Sequence, residues 1–266
     1  MGDRASSLRA RVDSGCKLFV AYIGAGCPGR SESVEIAVEL SKLGADVIEF
    51  GIPFSDPYGD GAVNQAAAEK GLEAGVTISV YLDLVRAIRA RVDTPLVAFG
   101  YCNPVWRYGV ERFARDAAAA GIDGILLVDI PVEESAGLEA AAKANGLFVT
   151  FLTTPTTTPH RLEAIASRAE GFVYHVSRTG VTGEKADLSA TLADEVRHVR
   201  SVVKPPVVVG FGLSTPEQVA EVCEVADGAV VGSAIVRRTL QDKPLTEILA
   251  DIREVVVPLV AATGKR

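Results

Sequence analysis

The chain has 266 residues, of which 48% are hydrophobic and 23% charged, and its formal net charge is -7. That balance excludes the usual profile of a nucleic-acid-binding or membrane-surface protein, and no run of about 18 apolar residues offers a transmembrane helix. A small anionic ligand stays possible, because local geometry can hold an anion against the net charge. The first fifteen residues are polar and lack an apolar signal core, so a cytoplasmic location is expected. Cys16, Cys27, Cys102 and Cys223 are scattered and read as reduced thiols. With 3 histidines and no Cys/His cluster, no metal site is expected.

Short, near-continuous apolar runs predict strands at 18–23, 47–51, 96–101, 124–129, 148–152, 172–176, 206–210 and 229–232. Helix-period segments alternate with them at 31–43, 78–90, 110–120, 133–144, 160–169, 191–203, 216–225 and 246–262. Gly44, Gly121 and Gly146 follow helix ends in the manner of C-caps. Strand then helix, repeated eight times, implies parallel strands joined by crossovers. No linker or break in composition marks a second domain. The expected fold is therefore α/β, a single (β/α)8 TIM barrel over residues 1–266. Two connections are long, 52–75 and 177–190, and both follow strands, on the face where a barrel builds its site.

Gly24-Ala25-Gly26-Cys27-Pro28-Gly29 fits GxGxxG after a strand, with Glu49 about 20 residues on. In the dinucleotide fold the third glycine lies inside the helix. Here Pro28-Gly29 reads as a turn and Ser31 as the N-cap, so a nicotinamide site is the minor reading and a glycine-rich barrel loop the main one.

Glycines also gather after the last strands: Gly210-Phe211-Gly212, and Gly232-Ser233-Ala234 before a short apolar helix at 235–240. Barrels often bind phosphate with the loops after strands seven and eight and a short extra helix. Tight turns are the alternative.

Two carboxylates stand out. Glu49 lies inside an apolar strand, where a charge is costly unless paired or neutralised. Period two puts Val47, Glu49 and Gly51 on one face. An apolar wall would raise its pKa toward proton transfer; an ion pair is the alternative. Asp60 sits in a turn and gains interest only from its loop and from Glu49 upstream. Tyr174 and His175 are adjacent, and if Phe172 and Tyr174 point inward, His175 faces the helices.

The run Glu49-Phe50-Gly51-Ile52-Pro53-Phe54-Ser55-Asp56-Pro57-Tyr58-Gly59-Asp60-Gly61 resembles the signature of the tryptophan synthase alpha subunit family. Ser177-Arg178-Thr179-Gly180-Val181-Thr182-Gly183 resembles that family's mobile loop. The stretch from Asp129 to Ser135, Gly210-Phe211-Gly212 and Gly232-Ser233-Ala234 match in the same order. The resemblance implies a lyase that cleaves indole-3-glycerol phosphate to indole and glyceraldehyde 3-phosphate, without a cofactor or metal of its own. It implies a beta subunit partner that carries pyridoxal phosphate, in an alpha2-beta2 heterotetramer.

By the same resemblance Glu49 is the proton-transfer group and Asp60 accepts the ring N–H. Thr182 positions Asp60 on closure. Gly183, Gly212, Gly232 and Ser233 match the phosphate cradle. Tyr22, Phe99, Tyr101, Leu126, Val128, Leu152, Tyr174 and Phe211 match the indole pocket or its edge. Pro53, Asp56, Pro57, Asn103, Asp129, Pro131 and Glu134 match positions facing the partner, and Pro104-Val105-Trp106 reads as an apolar loop on that rim. Phe50 replaces a usual aliphatic residue, Ala62 a usual proline, Asn64 a usual apolar residue and Cys27 a frequent aspartate. Three alternatives accompany the main reading: a stand-alone lyase that releases free indole, a non-catalytic activator of a beta subunit, and an NAD-dependent oxidoreductase.

Overall fold

The computed structural model describes residues 4–176, 191–210 and 212–264. In chain order the helices and strands are α1 (Arg4–Asp13), β1 (Leu18–Gly24), α2 (Arg30–Lys42), β2 (Val47–Gly51), α3 (Ala62–Glu73), α4 (Ile78–Arg89), β3 (Leu96–Gly100), α5 (Cys102–Tyr108), α6 (Val110–Ala120) and β4 (Gly124–Leu127). A 3-10 turn (Val132–Glu134) leads into α7 (Ala136–Ala144), β5 (Phe148–Val149), β6 (Phe151–Thr153), α8 (Pro159–Arg168) and β7 (Val173–Val176). Then come α9 (Leu192–Val202), β8 (Val207–Gly210), α10 (Pro216–Val225), β9 (Gly228–Val231), α11 (Ser233–Thr239) and α12 (Leu245–Ala261).

The described strands form one parallel sheet in the order β5-β4-β3-β2-β1-β9-β8-β7-β6. Its two ends, β5 and β6, are consecutive pieces of one stretch of chain. The sheet therefore comes round on itself as a TIM barrel. The strand expected at 148–152 is broken at Thr150: Phe148 and Val149 pair with β4, whereas Phe151–Thr153 pair with β7. A single extended run changes partner at the break, which is why the sequence reads as one strand and the ladder as two.

Two apolar layers follow from the alternation of side chains. Val20, Val47, Val97, Leu126, Phe172, Val208 and Val230 fill the barrel interior. Phe19, Ile48, Phe50, Ala98, Ile125, Val173 and Val209 pack outward against the helices. His175 belongs to that outer side, with Nδ1 3.1 Å from Thr153 Oγ1 and Nε2 3.4 Å from Glu195 Oε2.

Three elements depart from the sequence expectation. Residues 4–13, to which the sequence reading assigns no element, form α1, whose Leu8 plugs the interior among Leu18, Phe148 and Phe172 with Ala5 and Val12 beside it. Ala5, Leu8 and Val12 give that helix only a narrow apolar stripe. The long 52–75 connection holds α3, a helix rich in alanine but weakly amphipathic. Pro104-Val105-Trp106 is not a loop but part of α5, in which Pro104 sits in the first turn, where its missing N–H is no loss. The helix after GxGxxG starts at Arg30 with Gly29, not Ser31, as its N-cap. The third glycine thus stays outside the helix. No helix among the described residues is long and apolar enough to cross a membrane.

Candidate active site

The C-terminal ends of the strands open into a cavity of about 440 Å³. Glu49 reaches it from β2 and is only 1% exposed. Its neighbours in register are Tyr22 on β1 and Val97 on β3, so apolar and aromatic groups surround it. No donor among the described residues reaches its Oε1. Burial first, and then the neighbouring Asp60, push its pKa from 4.5 to about 8. Glu49 is therefore mostly protonated at neutral pH, an acid in reserve. The ion-pair alternative is not met: no cation among the described residues pairs with Glu49.

Asp60 arrives from the opposite direction. Ile52 N–H donates to Phe99 O at 2.8 Å, which carries the chain over the barrel mouth. Two tight turns follow, with Tyr58 N–H to Asp56 O at 2.9 Å and Asp60 N–H to Pro57 O at 3.0 Å. Gly61 then caps α3. Asp60 Oδ2 accepts from Tyr101 Oη at 2.9 Å, and Oδ1 from Asn64 Nδ2 at 3.4 Å. Burial raises its pKa, while these two donors pull it back. The two carboxyl groups are thereby driven apart: Glu49 has no such donors and rises far, and Asp60 stays the more acidic partner.

The walls are aromatic. Tyr22 and Phe99 meet edge to face with ring centroids 4.9 Å apart. Val128, Leu152 and Tyr174 complete a slot suited to a flat apolar ring. The strand ends make room for these rings with glycine. A Cβ on Gly51 would lie 2.6 Å from Tyr22 Oη, and one on Gly210 would lie 2.4 Å from Tyr174 Oη. Gly210, which the sequence groups with an anion cradle, thus serves the aromatic wall.

The other end of the cavity is lined by Gly212, Gly232 and Ser233. Arg237 joins them, one helical turn past Ser233 on α11. It escaped the sequence reading, although its i,i+4 spacing from Ser233 was the available signal. Ala62, Val63, Asn64, Thr154 and Val176 are further lining residues that it passed over.

Of the expected pocket residues, Tyr22, Phe99, Val128, Leu152 and Tyr174 line the cavity with Glu49 and Asp60. Leu126 is fully buried in the interior layer beneath them. Tyr101 is buried and reaches the site through Asp60. Thr182, Gly183 and Phe211 lie outside the described residues. Among the expected partner-facing positions, Asp56, Asn103, Pro131 and Glu134 are exposed, Pro57 and Asp129 are half-buried, and Pro53 is buried. Asp129 is occupied within the chain, accepting Cys102 N–H at 2.7 Å at the start of α5.

The family model described as tryptophan synthase alpha chain matches residues 9–260. A tryptophan synthase alpha chain from Geobacter sulfurreducens is 48% identical over 83% of this chain and 84% of its own length. One from Citrifermentans bemidjiense is 45% identical over 89% of this chain and 88% of its own. Among solved structures, the tryptophan synthase alpha chain of Legionella pneumophila superposes with a TM-score of 0.89 at 33% identity, covering 99% of this chain and 98% of that one. A chain from the Mycobacterium tuberculosis tryptophan synthase gives 0.86 at 36% identity, covering 100% and 98%.

Proposed function

The chain belongs to the tryptophan synthase alpha chain family, and from that membership we propose how its residues divide the work of the family's lyase reaction. That reaction cleaves indole-3-glycerol phosphate to indole and D-glyceraldehyde 3-phosphate in tryptophan biosynthesis. The alpha chains need no cofactor of their own. One barrel domain over residues 1–266 supplies the chemistry.

Glu49 begins as the acid. It delivers its proton to the ring carbon that bears the glycerol chain, and the ring nitrogen becomes cationic. Asp60 accepts the ring N–H and stabilises that charge. The Glu49 carboxylate then takes the proton of the hydroxyl on the adjacent side-chain carbon. The carbon–carbon bond breaks, its electron pair restores the aromatic ring, and the hydroxyl oxygen becomes the aldehyde. Glu49 ends protonated, so one group serves both proton transfers. The observation that carries this reading is the pair of carboxyls in one cavity, one pushed to about 8 with a bare oxygen, the other raised by burial but pulled back by two donors.

Tyr22, Phe99, Val128, Leu152 and Tyr174 hold the indole ring, and Gly212, Gly232 and Ser233 take the phosphate with Arg237 beside them. By resemblance Gly183 joins that end, Phe211 joins the indole pocket, and Thr182 orders Asp60. The exposed rim around Asp56, Asn103, Pro131 and Glu134 faces a beta subunit, which holds the pyridoxal phosphate, in an alpha2-beta2 assembly. Pro53, Pro57 and Asp129 support that rim from below. Four free thiols suit a cytoplasmic protein.

The test is indole release from indole-3-glycerol phosphate by the purified chain, with and without a beta subunit. Slow turnover that rises strongly with the partner supports the reading. Fast turnover indifferent to the partner identifies a stand-alone lyase, and no indole under either condition overturns the lyase.

A further inference from the structure

Asn64 lines the cavity four residues past Asp60, in the first turn of α3. Its Nδ2 donates to Asp60 Oδ1 at 3.4 Å. Asp60 accepts from the Tyr101 hydroxyl as well, so both of its oxygens act as acceptors and the amide N–H2 end faces it. The amide oxygen is thereby turned away from the carboxylate. That Oδ1 is shut off from solvent, and no donor among the described residues reaches it. Buried polar atoms are nearly always paired, and leaving one bare is unfavourable. The family resemblance gives this position an apolar side chain, so the bare oxygen is no part of the shared chemistry.

The bare oxygen can be matched to the substrate by elimination. Indole-3-glycerol phosphate offers the ring N–H and two hydroxyls as donors, and its ionised phosphate offers none. Asp60 takes the ring N–H, and Glu49 takes the hydroxyl on the carbon that leaves the ring. One hydroxyl remains, on the next carbon. Among the described residues that line the cavity, Asn64 Oδ1 is the buried acceptor left without a donor besides Glu49 Oε1.

We propose that Asn64 is a positioning and specificity residue, its amide nitrogen orienting Asp60 and its amide oxygen receiving the glycerol hydroxyl that does not react. The inference rests on the lyase reading above. Under it the cavity selects a dihydroxylated three-carbon phosphate chain, not any indole bearing a phosphate tail.

The experiment compares two ligands in three proteins. The ligands are indole-3-glycerol phosphate and an analogue in which both hydroxyls are replaced by hydrogen. The proteins are wild type, Asn64→Leu and Asn64→Asp. Asn64→Leu removes the acceptor at similar volume. It should raise the KM for substrate about five- to tenfold, the scale of one neutral hydrogen bond, and leave the analogue's Kd within about twofold. Analogue binding also reports that the variant folds. Asn64→Asp keeps an acceptor but removes the donor to Asp60 and adds a like charge. Its KM should stay near wild type, while the acid limb of kcat/KM moves to higher pH. Glu49, Tyr22, Tyr101 and Tyr174, the titratable groups that interact with Asp60, are unchanged in both variants.

An unchanged KM in Asn64→Leu, or equal weakening of both ligands, overturns the hydroxyl contact. An unmoved acid limb in Asn64→Asp overturns the positioning of Asp60. Should Asn64→Leu fail to fold, Asn64→Asp reads both halves alone: retained substrate affinity with a moved limb supports them, and lost affinity overturns the contact. Wild-type protein that releases no indole overturns the lyase reading and this inference with it. Wild-type turnover matched by Asn64→Leu overturns this inference alone.

Discussion

Tyr101 Oη donates to Asp60 Oδ2 at 2.9 Å and accepts the Gly59 N–H at 3.0 Å. One hydroxyl, set just past the end of β3, therefore holds both the carboxylate and the turn that carries it. The ring is packed independently, against Phe54 at 5.4 Å and Tyr58 at 5.6 Å between centroids. Tyr101→Phe should keep that packing and lose the two hydrogen bonds. A bond to an ionised carboxylate contributes about 1.5–3 kcal/mol, so kcat/KM at neutral pH should fall on the order of tenfold or more. The bond also lowers the Asp60 pKa. Its loss should move the acid limb of the pH–rate profile upward. A profile and rate equal to wild type would show that Asp60 needs no help from Tyr101.

Glu49→Gln removes the proton-transfer group and keeps the shape of the pocket. Turnover should fall by at least about 10²-fold, the scale of general acid–base catalysis, while the hydroxyl-free phosphate analogue still binds. The same variant tests the burial cost. The folded pKa of Glu49 is about 8 against 4.5 for the free group. The native state thus holds a proton that the unfolded state has lost between those values. Wild-type stability attributable to Glu49 is complete below 4.5, declines through the window and levels off above about 8. Glutamine has no such decline. Urea unfolding at pH 5 and pH 9 should show Glu49→Gln gaining on wild type at the higher pH, by a few kcal/mol at about 1.4 kcal/mol per unit. A stability difference that does not change with pH would mean that Glu49 is not held protonated.

Because Glu49 starts the reaction as an acid, kcat/KM should decline as pH rises through about 8. The decline should vanish from the binding of the hydroxyl-free analogue, which requires no proton from Glu49. A rate that climbs through pH 8 would reverse the order of the two proton transfers, with the carboxylate as the starting form.

The barrel and its two carboxylates were legible in the sequence for a specific reason. Parallel strands buried on both faces read as unbroken apolar runs, so a lone Glu49 inside one is conspicuous. Asp60 was legible only through its long loop, Glu49 upstream and the resemblance, because Asp and Gly are ordinary turn residues. What was hidden is what depends on partners distant in the chain. The break at Thr150 is a choice of neighbour, not of conformation, as its N–H donates to Ile125 O at 3.0 Å. The α3 helix was hidden because its alanine-rich stretch buries only Ala67 and Gly71. Arg237 was hidden because a cation on a short helix is unremarkable until Ser233 beside it is seen to line the cavity.

Leu8 shows the same limitation at the other end of the barrel. It lies on a helix the sequence did not announce, yet it is only 1% exposed and closes the interior against Leu18 and Phe172. Leu8→Ala should cost about 2–5 kcal/mol of stability, as deletions in a packed core do. Since the catalytic cavity is at the opposite end of the strands, kcat and KM at 25 °C should be unchanged. A large loss of turnover in a folded Leu8→Ala protein would show that the barrel floor is coupled to the mouth.

Arg237 supplies the last test, because it separates charge from geometry at the phosphate end. The chain is acidic overall, with a net charge of -7, and the cavity already holds Glu49 and Asp60. Glycine N–H groups and the Ser233 hydroxyl can orient a phosphate, but Arg237 is the cation that lines the cavity among the described residues. The side chain is exposed, so salt screens it and its effect is modest. Arg237→Gln should weaken the hydroxyl-free phosphate analogue by about three- to tenfold at low ionic strength, and by less at about 0.5 M salt as the Debye length shrinks. The kcat at saturation should hold, because the phosphate is remote from the bond that breaks. A loss independent of salt would point to the shape of α11, and an unchanged Kd would leave the phosphate to the glycines and Ser233 alone.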